Sequence, residues 1–200
     1  MWKNFHFRSF IYHWYYSRSK YDIHSPFVYK LYVGVLKDNS DHEEYRLLKE
    51  EPSLGKVMVP VKYARLLVRL AKHFHPGKIL ISGVGKEPKF PALFHIPESC
   101  RVFYEDSDPG ILNESGTFDM IIIFLDTEHI YSPEYFSGIM QHIHNDSVLI
   151  FYNIHGSREI AEAWKKIIHH PSVTVSIDLF YLGLVFCKEE LTREEFMICL

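Results

Sequence analysis

Six consecutive apolar residues, Met120-Ile121-Ile122-Ile123-Phe124-Leu125, are preceded by Phe118-Asp119 and followed at once by a carboxylate, Asp126. A run this short, rich in β-branched side chains and without polar alternation, reads as a strand buried on both faces of a parallel sheet. In open α/β sheets ligands bind beyond the carboxyl ends of the strands, so Asp126 is placed for chemistry rather than for packing. A second run of the same kind, Ser147-Val148-Leu149-Ile150-Phe151-Tyr152, ends in Asn153-Ile154-His155. Neighbouring strands lie roughly 4.8 Å apart, and two such neighbours would put Asp126 and Asn153 in one mouth.

A chain of 200 residues that is 47% hydrophobic can bury one ordinary core. Its net charge of −3 gives no general attraction to nucleic acid. Cys100, Cys187 and Cys199 have no paired spacing, so neither a disulfide framework nor a structural zinc is expected, and a reducing cytoplasm fits. Met1-Trp2-Lys3-Asn4-Phe5-His6-Phe7-Arg8 carries charge where a signal peptide needs an unbroken apolar segment. No run reaches the roughly 18 apolar residues of a membrane span. The 13 histidines are scattered, which suits surface and interhelical positions.

Residues 1–20 mix aromatic side chains (Phe5, Phe7, Phe10, Tyr12, Trp14, Tyr15, Tyr16) with Lys3, Arg8, Arg18 and Lys20 and hold no Gly or Pro. The segment suits a helix packed on the body or on a second copy of the chain, or a basic aromatic face for a membrane or RNA. Ser25-Pro26 gives an N-cap and first-turn proline for a helix through Phe27, Leu31 and Val35. Ser40-Asp41-His42-Glu43 has capping-box spacing and opens a charged helix that Pro52 ends. Pro60 starts another, with Tyr63, Leu67, Leu70 and Phe74 on one face and Gly77 at its end. These signals predict a helical N-terminal subdomain over 1–77.

From Lys78 strands alternate with helices. Strands are expected at Lys78–Ser82 and Arg101–Tyr104, then the two central runs. One helix starts at Ser132-Pro133-Glu134 with Phe136, Ile139, Met140 and Ile143 inward; another is capped by Ser157, with Ile160, Trp164, Ile167 and Ile168 inward and Pro171 as its stop. Val173–Leu179 and Leu184–Cys187 flank Tyr181-Leu182-Gly183, a connection too short for a parallel crossover, so this last pair is antiparallel. Phe196–Cys199 is a further edge strand.

A mostly parallel sheet closed by an antiparallel hairpin resembles the Rossmann-like α/β fold of class I S-adenosylmethionine-dependent methyltransferases. Several stretches look like a bacterial O-methyltransferase-like family common in Bacteroidetes: Tyr21-Asp22-Ile23-His24-Ser25-Pro26-Phe27-Val28-Tyr29, Lys62-Tyr63-Ala64-Arg65-Leu66-Leu67, Asp126-Thr127-Glu128-His129-Ile130-Tyr131, Ile150-Phe151-Tyr152-Asn153-Ile154-His155, Ala163-Trp164 and Ser176-Ile177-Asp178-Leu179-Phe180. The resemblance covers most of residues 15–200 and implies a methyltransferase-type domain over 78–200.

The cofactor motifs depart from that family. There the first strand ends in an acid followed by Gly-x-Gly-x-Gly; here Gly83 and Gly85 remain, but Ile81 stands at the acidic position and Glu87 at the third glycine. As a plain strand-to-loop turn, Gly83-Val84-Gly85 needs no ligand. Pro88, Pro91 and Pro97 cut the following helix to a turn or two. Glu105 follows Gly83 at the roughly 20-residue separation of a ribose-binding acid, with Asp106 the close alternative and a solvated acidic loop the plain one. Residues 106–119, containing Pro109 and Gly110, are too few for a helix, a third strand and a second helix. The sheet's third strand is therefore expected to be missing, leaving about six strands.

Metal-dependent relatives hold Mg²⁺ with an acid at the end of the central strand and an acid pair at the next. Asp126 matches the first and Asn153 the last, but Tyr152 replaces the acid between them, which leaves too little charge for a divalent cation. His129 and His155, with Asp126 and Glu128, form the alternative polar cluster. The expectation is a shortened methyltransferase-like protein that does not transfer methyl groups, needs no S-adenosylmethionine, and acts as a binding or oligomerising scaffold through its aromatic N-terminal helix. Two rivals follow. One is an active methyltransferase for a small hydroxylated substrate, with Gly83, Gly85, Glu105 or Asp106 on S-adenosylmethionine and Asp126, His129 or His155 as catalytic groups. The other is a metal-dependent hydrolase at Asp126, Glu128, His129 and His155.

Overall fold

A computed structural model describes residues 2–17, 19, 22–38, 40, 60–83, 100–105, 112, 116–125 and 133–200. Within them lie helices α1 (Trp2–Tyr16), α2 (Pro26–Leu31), α3 (Val61–Phe74), α4 (Pro133–Met140) and α5 (Arg158–Ile168). The strands are β1 (Lys78–Ser82), β2 (Arg101–Tyr104), β3 (Phe118–Phe124), β4 (Ile143–Tyr152), β5 (Val175–Asp178), β6 (Leu182–Phe186) and β7 (Glu194–Met197). The charged helix expected after Ser40 lies outside the described residues.

The strands form one sheet in the order β2-β1-β3-β4-β6-β5-β7, with β6 antiparallel to both of its neighbours and every other pairing parallel. Six of the seven strands thus point their carboxyl ends to one edge. The chain passes from β1 outward to β2 and returns to pair β3 on the other side of β1, so the switch point lies between β1 and β3. Among the described residues nothing pairs with the outer side of β2; most of residues 106–119, on which the expected loss of a third strand rests, lies outside the described residues. The count is seven strands rather than about six: the further edge strand expected at Phe196–Cys199 forms two residues earlier, as β7 over Glu194–Met197 beside β5.

Both faces of the sheet are covered. Ile79, Ile81, Met120, Ile122, Val148 and Ile150 pack with Leu31, Leu66, Leu67 and Leu70 of the N-terminal helices. The alternate residues Leu80, Ile121, Ile123, Leu149 and Phe151 pack with Ile139 of α4 and Ile160, Trp164 and Ile167 of α5. Period-2 alternation with both sets apolar makes β3 a continuous hydrophobic run. At the opposite edge of the sheet, Asp119 fixes the start of β1 by accepting from the Gly77 and Lys78 amides at 2.9 and 2.8 Å.

Several boundaries differ from expectation. The helix from Pro26 widens into a π-helical turn over Tyr32–Leu36, and the Ser25 side chain makes no capping bond. Helix α3 ends not at Gly77 but at His75, which takes the left-handed conformation (φ 47°) just before Pro76 disfavours further helix. Ile143 opens β4 instead of extending α4. The last hairpin turns at Leu179-Phe180-Tyr181, earlier than expected, so Leu182 and Gly183 belong to β6. A Cβ at Gly183 would collide with the Trp164 ring, so this strand glycine lets α5 approach the sheet closely there. Ser157 caps α5 as its sequence predicts, its hydroxyl accepting from the Ile160 amide at 3.2 Å.

Candidate functional site

Two clusters of polar side chains occupy the carboxyl edge of the sheet. The first is at the switch point. Gly83 follows β1 with φ 80°, and a Cβ there would run into the carbonyl oxygen of Phe124 on β3. Its glycine identity is explained by this approach of two strand ends. Beside it, the Ser82 hydroxyl lies 2.8 Å from the Tyr135 hydroxyl of α4, which also donates to the carboxylate of Glu105 at the end of β2. Tyr135 therefore ties β1, β2 and α4 together through the acid predicted to hold a ribose. Gly85 and Asp106 lie outside the described residues, as do Asp126, Glu128 and His129.

The second cluster lies across the ends of β4 and β5. Asn153 turns the chain after β4 in the left-handed region (φ 69°); its amide donates to the Leu125 carbonyl at 3.1 Å and packs against Gly156, where a Cβ would strike it. Its side chain is thereby bonded to the residue immediately before Asp126. Two residues on, His155 stacks on Phe180 with centroids 5.2 Å apart and planes 16° apart. Its Nε2 lies 2.8 Å from Oδ2 of Asp178, the last residue of β5.

Asp178 is the centre of this cluster. Its Oδ1 accepts from the Phe180 amide at 2.8 Å and lies 3.1 Å from Nε2 of His13, which reaches in from α1. His13 Nε2 is also 3.0 Å from the Asp178 carbonyl oxygen. His13 is only 2% exposed. Burial pushes the Asp178 carboxyl up, but the hydrogen bonds and charges of His13 and His155 more than reverse it and hold it well below the usual carboxylate range. Burial likewise lowers His13, and Asp178 outweighs it, so the imidazole is raised above 6.5. Around them Tyr63 donates to the Leu179 carbonyl at 3.0 Å and packs at a tilt against Tyr181, and burial raises its phenol.

A carboxylate ionised in a buried site, with one fully buried and one partly exposed imidazole on its two oxygens, can orient a histidine for proton transfer. It can also lock α1 to the sheet. The sequence reading singled out His155 and Asn153 but missed Asp178, His13 and Tyr135. Asp178 carries the same signal as Asp126, an acid closing an apolar strand, while His6 and His13 are seven residues apart on one helix face. Among the described residues no group of three or more His, Cys, Asp or Glu could hold a metal ion.

No family model and no curated protein matches this chain. Solved structures do. The SAH-bound methyltransferase PaMTH1 of Podospora anserina superposes with a TM-score of 0.52 at 11% identity, over 84% of this chain and 98% of the other. A Staphylococcus aureus protein provisionally described as a caffeoyl-CoA O-methyltransferase gives 0.51 at 14% identity, over 80% and 99%. The fold is that of the class I methyltransferases. Within this methyltransferase fold the switch-point cluster stands where the general rule for open α/β sheets places a ligand, and the Asp178 cluster stands farther along the same edge.

Proposed function

We propose that this chain is a methyltransferase-fold protein that has lost methyl transfer and works as a binding scaffold. The observation that carries the reading is the Tyr135 hydroxyl seated on both Ser82 and Glu105. A ribose diol would need the Glu105 carboxylate as its acceptor, and one of its two oxygens, Oε2, already accepts from the Tyr135 hydroxyl of the same chain. A ribose there would compete with Tyr135 for this carboxylate, which disfavours an adenosine at the described part of the mouth. The fold alone does not oppose the reading, because function resides in the site rather than in the sheet.

Isothermal titration with S-adenosylmethionine and S-adenosylhomocysteine tests it. No heat at about millimolar ligand is expected, whereas a dissociation constant near micromolar, about −8 kcal/mol, would overturn it. The Asp178 cluster favours a second reading, an active enzyme for a small hydroxylated substrate. There, Asp178 would hold the imidazole of His155 so that its free nitrogen takes a hydroxyl proton. A bell-shaped dependence of turnover on pH, abolished in His155→Gln, would establish that alternative.

A further inference from the structure

Helix α1 is fixed to the body along one stripe. His13 meets Asp178, and His6 and Phe10 pack edge-on against Phe180 with centroids 5.0 and 5.2 Å away. Around the rest of the helix Phe7, Ile11, Tyr12, Trp14, Tyr15 and Tyr16 are exposed, Trp14 by 63% and Tyr15 by 74%. Single apolar side chains on a surface need no explanation, but a helix that carries them on every side it does not bury has a partner. The buried His13–Asp178 pair presents this face preformed, so no helix has to be ordered when the partner arrives.

The chemistry of the segment selects that partner. Residues 1–21 contain Lys3, Arg8, Arg18 and Lys20, and none of the 25 acids of the chain. Tyr and Trp rings with polar tips, next to cations and free of carboxylates, match the headgroup layer of an anionic bilayer. There the rings settle at the interface and the bases are attracted by the surface potential. Pairing α1 with its own copy would set base against base with no acid between them. Tight nucleic-acid binding draws on about six or more phosphate contacts, more than the four bases of residues 1–21 supply, whereas the exposed aromatic rings are what an interface layer takes up. We propose that α1 is an interfacial helix that seats this protein on anionic lipid. Because α1 rests on Phe180 and beside Tyr181, docking would turn the β4 and β5 end of the sheet toward the headgroups. The inference names the partner of the proposed scaffold and stands whether or not methyl transfer is lost, since vesicle binding requires no cofactor.

Co-sedimentation of the full chain with phosphatidylcholine vesicles, with and without about a third phosphatidylglycerol, tests this at low and high salt. Binding is expected only with the anionic lipid, weakened by salt. It should fall at least about tenfold in a Trp14→Ser, Tyr15→Ser variant and in Arg8→Glu. Far-UV circular dichroism and an unchanged melting temperature would show that these variants still fold. No sedimentation with about millimolar anionic lipid overturns the proposal, as does binding that the α1 substitutions leave intact. A dimer that these substitutions dissociate, or RNA binding that they abolish, in the absence of vesicle binding, would assign the face to another partner and overturn it equally.

Discussion

Asp178→Asn isolates the interaction on which both the docking of α1 and the orientation of His155 depend. The carboxylate accepts from the Phe180 amide at 2.8 Å and faces His155 Nε2 at 2.8 Å and His13 Nε2 at 3.1 Å. Asparagine keeps one acceptor oxygen but turns an amide NH₂ toward the other partner, so one imidazole loses its charged acceptor and the buried charge that holds both rings disappears. A hydrogen bond to a charged group contributes about 1.5–3 kcal/mol, and breaking one side of a buried pair costs about 3–5. We expect a loss of about 3 kcal/mol, which for a chain of this size is a drop in Tm of roughly 6–12 °C. Thermal unfolding followed by circular dichroism measures it. His13→Ala, Asp178→Asn and their double variant form a cycle whose coupling should be at least about 1 kcal/mol. A Tm within about 2 °C of the parent, or costs that simply add, would show that the pair does not hold the helix and refute the reasoning.

The same pair sets a pH window. His13 is raised above its unfolded value of 6.5, so its contribution is complete below that value and fades as pH rises through the higher folded one; Asp178 is lowered, so its contribution persists down to pH well below 3.8. His6, on the same helix, is lowered by burial and by the charge of His155. Protection factors of the α1 amides, which remove the intrinsic rise of exchange with pH, should therefore be several-fold higher near pH 5.5 than near pH 8.5, and equal protection factors would contradict it. Gly83→Ala should cost about 2–4 kcal/mol in urea unfolding, since it adds left-handed strain to a clash with the Phe124 carbonyl; a loss under about 1 kcal/mol would mean the two strand ends part freely. Gly183→Ala should cost about 1–3 kcal/mol through the Trp164 ring and shift the tryptophan emission. Tyr135→Phe removes the hydroxyl that engages Glu105, so it should raise affinity for S-adenosylmethionine relative to the parent in the same titration. An unchanged isotherm would mean that Tyr135 is not what closes the site.

The elements that local chemistry fixes were legible in the sequence. β1 and β2 fall at the predicted residues because apolar runs bounded by turn residues have one extended solution. Helix α5 starts at Ser157 because its hydroxyl meets an amide three residues away. Boundaries decided by competition were not legible: Ile143 suits an amphipathic helix and a strand equally, and pairing with Phe118 of β3 settles it.

The site shows the same division. That Asn153 and His155 stand at a sheet mouth followed from their place after an apolar strand. The link from His155 to Asp178 and on to His13 did not, for His13 and Asp178 are 165 residues apart and meet only after α1 folds back over the β5–β6 turn. Likewise, Tyr135 reads in the sequence as one more aromatic of an amphipathic helix. Only the closure of α4 over the ends of β1 and β2 sets its hydroxyl on Glu105. Propensity, capping and periodicity act over a few residues and are written in order along the chain. Long-range contacts depend on which faces pack together, and that is settled when the whole core forms.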